Sequence, residues 1–201
     1  AEQMGWRVPQ HIVIPAAGGS LITKIAKAFK EFTLLGLLDE AHPKLYAAQA
    51  TGCAPIVTTI KERSDIVKPV KPKTIAKSLA IGNPADGYYA TKAVLDSGGW
   101  AESASDEEII DAMKLLGETE GIFTETAGGV TVAAAKKLIE QGTIPKDESI
   151  VVCITGNGLK TQEPLLAPGR LDRPVPIKPT LASFEQNVQQ HVSVGVSPEH
   201  E

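Results

Sequence analysis

Thr155 stands where an apolar run meets two glycines, in Val151-Val-Cys-Ile-Thr-Gly-Asn-Gly-Leu-Lys160, and this junction is the first place where the chain could do chemistry. The run 150–154 is β-branched and almost wholly apolar, which suits a parallel strand covered on both faces. Gly156 and Gly158 permit a tight turn and let backbone approach a ligand closely. Open parallel sheets bind ligands beyond the carboxyl ends of their strands, so the Thr155 hydroxyl is placed to meet one. Spacing excludes two nucleotide readings of these glycines. A dinucleotide fingerprint and a P-loop both require glycine at position 161, which is Thr161. The P-loop would continue with Lys and Ser or Thr, where Gln162 and Glu163 stand. A plain chain reversal after a core strand is the structural alternative.

An anion site is expected early in the chain. His11–Pro15 reads as a short buried strand, Ala16-Ala-Gly-Gly-Ser20 as a small-residue turn, and Leu21, Ile22, Ile25, Ala26 and Phe29 recur at helical spacing. Ser20 is the expected N-cap of that helix. Unpaired amides and the positive end of the helix dipole attract an anion, and small side chains let it reach them.

These loops need a scaffold, and the rest of the chain supplies one by alternating strands with helices, the pattern of an α/β sheet layered by helices. A strand is expected at Lys44–Ala50, helices at 53–61, 85–96, 105–116 and 126–141, and a short strand at 99–102. Ser105 with Glu108 three residues on forms a capping pattern, and Gly142 stops the alanine-rich helix before it. Residues 68–73 form a basic, proline-punctuated connector, Gly82-Asn83-Pro84 a turn in which Asn83 serves the turn or a substrate, and Glu125 stands at a helix start, where the dipole favours an acidic residue. Residues 1–161 read as one α/β domain. Residues 162–201 read as a tail broken by Pro164, Pro168, Pro174, Pro176 and Pro179, with a terminal helix at 181–191 and a frayed end beyond it.

Composition narrows the function classes. With 201 residues and 42% hydrophobic content the chain can bury a sizeable core. A formal charge of -4 with interspersed signs offers no basic patch, so nucleic acid is not an expected partner. No apolar run approaches the roughly 20 residues of a membrane span, and the start has neither the charge nor the apolar core of a signal peptide, so a cytoplasmic location is expected. Cys53 and Cys153 lack metal spacing and read as reduced thiols in or near the core. His11, His42, His191 and His200 form neither a metal set nor a triad.

Four segments in order carry a resemblance: Pro15-Ala-Ala-Gly-Gly-Ser-Leu21, Thr74-Ile-Ala-Lys-Ser-Leu-Ala-Ile-Gly-Asn-Pro-Ala-Asp86, Glu120-Gly-Ile-Phe-Thr-Glu-Thr-Ala-Gly-Gly129 and Ile154-Thr-Gly-Asn-Gly-Leu-Lys160. Together they resemble the carboxyl-terminal portion of the threonine synthase family, pyridoxal-phosphate enzymes of the fold type II group that includes the tryptophan synthase β subunit. The resemblance implies a three-layer sandwich around a mainly parallel sheet, of which this chain is a part. It implies pyridoxal 5'-phosphate as cofactor, its phosphate on the backbone amides of Ala17, Gly18, Gly19, Ser20 and Leu21 and its ring nitrogen on the Thr155 hydroxyl. Some relatives carry Gly-Asn-Ala-Gly-Asn at that loop, so the amides rather than side chains are the expected contacts. Glu125 lies near the cofactor in the resemblance, outside any catalytic assignment.

The implied reaction turns O-phosphohomoserine and water into threonine and phosphate, by γ-elimination and addition of water at the β carbon. In the family the cofactor is carried by a lysine in a Ser-Phe-Lys-Asp-Arg-like segment of the amino-terminal half, and no such segment occurs here. Ala28-Phe-Lys-Glu-Phe32 is the nearest string, and Lys30 reads as a solvated helix lysine. The expectation is therefore a chain with no catalytic residue of its own, inactive alone, that joins the missing amino-terminal half and is a homodimer when complete. Another fold type II activity, such as threonine dehydratase or cysteate synthase, and a non-catalytic binding module are the alternatives.

Overall fold

Four parallel strands form one sheet, β1 (His11–Pro15), β2 (Lys44–Ala50), β3 (Ala101–Ala104) and β4 (Ile150–Val152), in the order β3-β2-β1-β4. This computed structural model describes residues 1–39, 42–166 and 177–192. The chain divides into two compact units, Ala1–Leu165 and Leu166–Glu201, and the sheet belongs to the first. The second contains α6 (Leu181–Val192), close to the terminal helix expected from sequence, whereas most of the proline tail and the frayed end lie outside the described residues.

Both faces of the sheet are covered, as a parallel sheet requires. Alternation along β1 sends Ile12 and Ile14 to one side, where they meet Ile22, Ile56, Ile60, Ala90 and Val94 from α1 (Ser20–Leu34), α2 (Pro55–Lys61) and α3 (Gly87–Asp96). Val13 and Tyr46 point to the other, against Ile109, Met113, Val130, Ala134 and Leu138 from α4 (Asp106–Glu120) and α5 (Thr126–Glu140). Each large apolar side chain buried there contributes about 1.5–3 kcal/mol. The three-layer α/β expectation is met.

Several boundaries differ from those read in the sequence, each for a local reason. The proline at position 55 takes the first turn of α2, where its missing N–H costs nothing, so Cys53 and Ala54 stay outside the helix. Asp86 donates its amide to the Gly18 carbonyl at 2.8 Å, which keeps Ala85 and Asp86 in a turn and starts α3 at Gly87. β3 lies at 101–104 rather than 99–102, because Gly99 passes against the Leu45 carbonyl before pairing begins. Ser105 caps α4 in a full capping box with Glu108, but the helix runs through Gly117 to Glu120 and stops at Gly121, φ 66°.

The apolar run at 150–154 gives the largest correction. Among the described residues β4 pairs only with β1 and ends at Val152, and Val151 is exposed, so it is a sheet-end strand rather than one covered on both faces. Its β-branched residues carry the same signal in either place.

A buried polar row closes the amino-terminal ends of the strands. His11, fully buried, lies between the Tyr46 hydroxyl, 2.9 Å from Nδ1, and the Glu148 carboxylate at Nε2. A carboxylate only accepts, so Nε2 carries a hydrogen towards Glu148. Burial, reinforced by the Glu148 charge, pushes the Tyr46 phenol up to about 12. Cys53 is buried and Cys153 half-buried, both free thiols raised by burial, as expected of core and near-core cysteines.

Candidate functional site

The carboxyl ends of β1 and β4 open into one cleft of about 280 Å³. Ala17, Gly18, Gly19, Ser20, Leu21 and Thr155 all line it, so the structure brings together the residues expected to contact the cofactor, whereas Gly156 and Gly158 lie outside its lining. Ser78, Leu79, Glu125 and Ala127 complete most of the wall.

The β1 loop reaches its position through two anchors. Gln49, fully buried on β2, donates from Nε2 to the Ala16 carbonyl at 3.2 Å and accepts at Oε1 from the Val57 amide at 3.0 Å, tying the loop to the start of α2. The Gly18 carbonyl takes the Asp86 amide. Between these ties Gly19, not Ser20, caps α1, with φ 94° and no side-chain cap bond. The strand must reverse into the helix within a few residues, and only a left-handed backbone does so here, which favours glycine over a hydroxyl cap. Ser20 becomes the first helical residue.

As at any helix start, the first amides of α1 have no acceptor within the helix. Among the described residues the amides of Gly18, Gly19, Ser20 and Leu21 donate to no protein acceptor. A Cβ on Gly18 would meet only Ile81 Cδ1, at 3.9 Å, so the space before these amides is open. Free amides, the dipole of a 15-residue helix and open space make an anion cradle.

The Thr155 loop is held by a different device. Residues 156–161 lie along 123–126: the Glu125 amide donates to the Gly156 carbonyl at 3.0 Å, the Gly158 amide to the Phe123 carbonyl at 3.0 Å, and the Thr124 hydroxyl to the Gly156 carbonyl at 3.2 Å. The Thr126 amide donates to Thr161 Oγ1 at 3.3 Å. Thr155 stays exposed at the cleft.

Glu125 and Ser78 are the polar lining residues that the two glycine patterns alone would not have supplied. The acidic residue at a helix start was visible in the sequence, but its burial was not: Glu125 is 4% exposed. Its side chain makes no cap bond, so the dipole supplies only part of the reason for an acid there. Asn83, exposed in its turn, does not line the cleft, and neither does Lys30, which is exposed on α1 beside a separate groove. Among the described residues, no lysine lines the cleft.

The cleft suits a molecule with an anionic end at the amides of Gly18 to Leu21 and a hydrogen-bonding end at Thr155. Known proteins give that description a family. Residues 1–156 match the family of pyridoxal-phosphate dependent enzymes. The chain is 44% identical over 160 residues to threonine synthase of Methanocaldococcus jannaschii, covering 79% of this chain and 39% of the relative. It is 41% identical over 167 residues to threonine synthase of Methanosarcina acetivorans, covering 83% and 41%. With threonine synthase of Halalkalibacterium halodurans it shares 34% identity over 191 residues, covering 94% and 50%. The chain thus spans half or less of these relatives.

Among solved structures, a fungal L-serine ammonia-lyase from Rhizomucor miehei superposes with TM-score 0.64 at 19% identity, over 78% of this chain and 48% of that one. Processed threonine deaminase isoform 2 from Solanum lycopersicum gives 0.62 at 20%, over 80% and 44%. At such identities these likenesses speak for the fold alone. Taken with the match over residues 1–156, they leave one conclusion: the chain belongs to the pyridoxal-phosphate dependent enzyme family, with the fold type II architecture.

Proposed function

We propose that this chain is the carboxyl-terminal portion of a threonine synthase, acting on O-phosphohomoserine once a lysine-bearing amino-terminal portion joins it. The observation that carries the reading is that the α1 amide cradle and Thr155 line one cleft. The residues fit the family's cofactor: the cradle before Gly18 is open enough that a side chain would fill it, and among the described residues the amides there have no protein acceptor. Similarity to three threonine synthases, against fold-level likeness alone to the deaminases, supports this substrate over the other fold type II activities.

Pyridoxal 5'-phosphate, when bound, supplies a ring that accepts electron density from the substrate. The chain's own part is to bind and orient. The amides of Gly18, Gly19, Ser20 and Leu21 hold the phosphate without reorganising, because Gln49 and Asp86 fix the loop. Thr155 offers a neutral hydroxyl to the ring nitrogen. Unlike a carboxylate, it does not hold a proton there, which moderates the ring's pull on electrons and suits elimination and replacement on the side chain. Among the described residues no lysine lines the cleft, so in this reading the group that carries the cofactor and moves protons comes from the amino-terminal portion.

The test is reconstitution. Purified chain with pyridoxal 5'-phosphate and O-phosphohomoserine should release no phosphate and form no threonine. Adding the amino-terminal half of the Methanocaldococcus jannaschii relative should restore turnover. Threonine formation by the chain alone, abolished by Lys30→Ala, would overturn the proposal.

A further inference from the structure

Glu125 and Lys160 make an unequal pair. The carboxylate is 5% exposed and the lysine side chain 63%, with Nζ 3.1 Å from Oε2. That approach lies off hydrogen-bond geometry, and among the described residues Oε2 has no hydrogen-bond partner. Lys160 is therefore the compensating charge of a buried carboxylate, and a buried charge stripped of its partner is strongly unfavourable. The carboxylate is also the floor beneath the Thr155 loop. A Cβ on Gly156 would come within 2.1 Å of Glu125 Oε1, so the glycine lets the chain lie directly on the carboxyl group one residue after Thr155.

We propose that Glu125 and Lys160 are positioning residues, an ion pair that clamps residues 156–160 onto the start of α5 and so aims the Thr155 hydroxyl into the cleft. If Lys160 is neutralised, the carboxylate gains by hydration, and hydration requires the loop above it to lift. The bonds broken would be those from the Glu125 amide to Gly156 and from the Gly158 amide to Phe123. If Glu125 is neutralised as well, nothing drives the lift, because glutamine keeps the shape on which Gly156 rests. The two substitutions should compensate, which distinguishes a charge clamp from simple packing. The consequence at the cofactor rests on the reading of Thr155 given above; the clamp itself does not.

Amide hydrogen exchange on the full chain without cofactor tests the clamp. Lys160→Met should speed exchange at the Glu125 and Gly158 amides about tenfold, an effect kept modest by the exposure of the lysine. The amide of Ala16, bonded to Ala48 at 2.9 Å in the central strands, should not change. Glu125→Gln with Lys160→Met should return both loop amides towards the parent rate, as should Lys160→Arg. Unchanged loop exchange in Lys160→Met, equal acceleration at Ala16, or a double variant as fast as the single would each overturn the clamp. A second arm reads the aim of Thr155 with pyridoxine 5'-phosphate, which has the ring and phosphate but no aldehyde. Lys160→Met should leave the affinity for inorganic phosphate unchanged and weaken that for pyridoxine 5'-phosphate. Equal affinities of parent and variant for pyridoxine 5'-phosphate would overturn the positioning role even if the clamp stands.

Discussion

Gly19→Ala is the sharpest probe of how the cradle is built. Gly19 has φ 94°, and a Cβ there would fall 2.7 Å from the Asp86 carbonyl oxygen and 2.9 Å from its carbon. That carbonyl cannot retreat freely, since it accepts the Ala90 amide at 2.9 Å and so begins α3. The left-handed backbone costs an alanine about 1–2 kcal/mol. The clash with fixed backbone adds about 1–3 kcal/mol, and reduced freedom of the unfolded chain returns about 0.4–1 kcal/mol. The net loss is about 1–5 kcal/mol, a sizeable share of the roughly 5–15 kcal/mol typical of a domain. In urea, with slopes of about 1–3 kcal/mol/M, a mid-range loss of about 3 kcal/mol at a slope of about 2 kcal/mol/M should lower the midpoint by about 1.5 M. Gly18→Ala is the control: its Cβ would meet only Ile81 Cδ1 at 3.9 Å, so stability should change by no more than about 0.5 kcal/mol while the methyl group narrows the phosphate space. An unchanged urea midpoint in Gly19→Ala, or equal losses in the two variants, would show that the left-handed turn against Asp86 does not require glycine.

Three further outcomes follow from the same structure. Thr155→Val removes an exposed hydroxyl, so the fold should lose less than about 1 kcal/mol, while the reconstituted enzyme should lose turnover and shift its cofactor absorbance; normal turnover with a normal spectrum would remove Thr155 from the site. Tyr46 is held protonated to about pH 12, so the unfolded chain ionises first and the stability from this group, present below pH 10, is lost between about pH 10 and 12, by roughly 3 kcal/mol if fully expressed. Urea titrations across that range should show the fall, and Tyr46→Phe should flatten it. Cys53, buried and raised by burial, should react with a thiol reagent at pH 8 only at the rate of unfolding, more slowly than Cys153.

Much of the site was legible because its signals are local. A strand, a run of small residues and a helical apolar stripe in register located the cradle, and the glycines after 155 located the second loop. The cap was misread because Ser20 satisfies the ordinary preference for a hydroxyl, while the sharpness of the turn that demands Gly19 is a tertiary fact. The placement of the 150–154 run could not be read either, since β-branched residues favour a strand whether it lies inside a sheet or at its end. Helix starts moved for the same kind of reason: Asp86 was held out of α3 by a bond to Gly18, 68 positions away in sequence. Glu125 was visible as an acid at a helix start, but its burial under Gly156 and its pairing with Lys160 depend on two segments distant in sequence lying side by side.

If one cleft holds a phosphate at α1 and a ring at Thr155, the amide chemical shifts of the isotope-labelled chain should report the two ends separately. Inorganic phosphate should move the resonances of Gly18, Gly19, Ser20 and Leu21 and leave Thr155 and Gly156 in place, whereas pyridoxine 5'-phosphate should move both groups with one dissociation constant. Shifts that fall elsewhere on the chain, or a Thr155 resonance indifferent to pyridoxine 5'-phosphate while the α1 amides respond, would contradict a shared site.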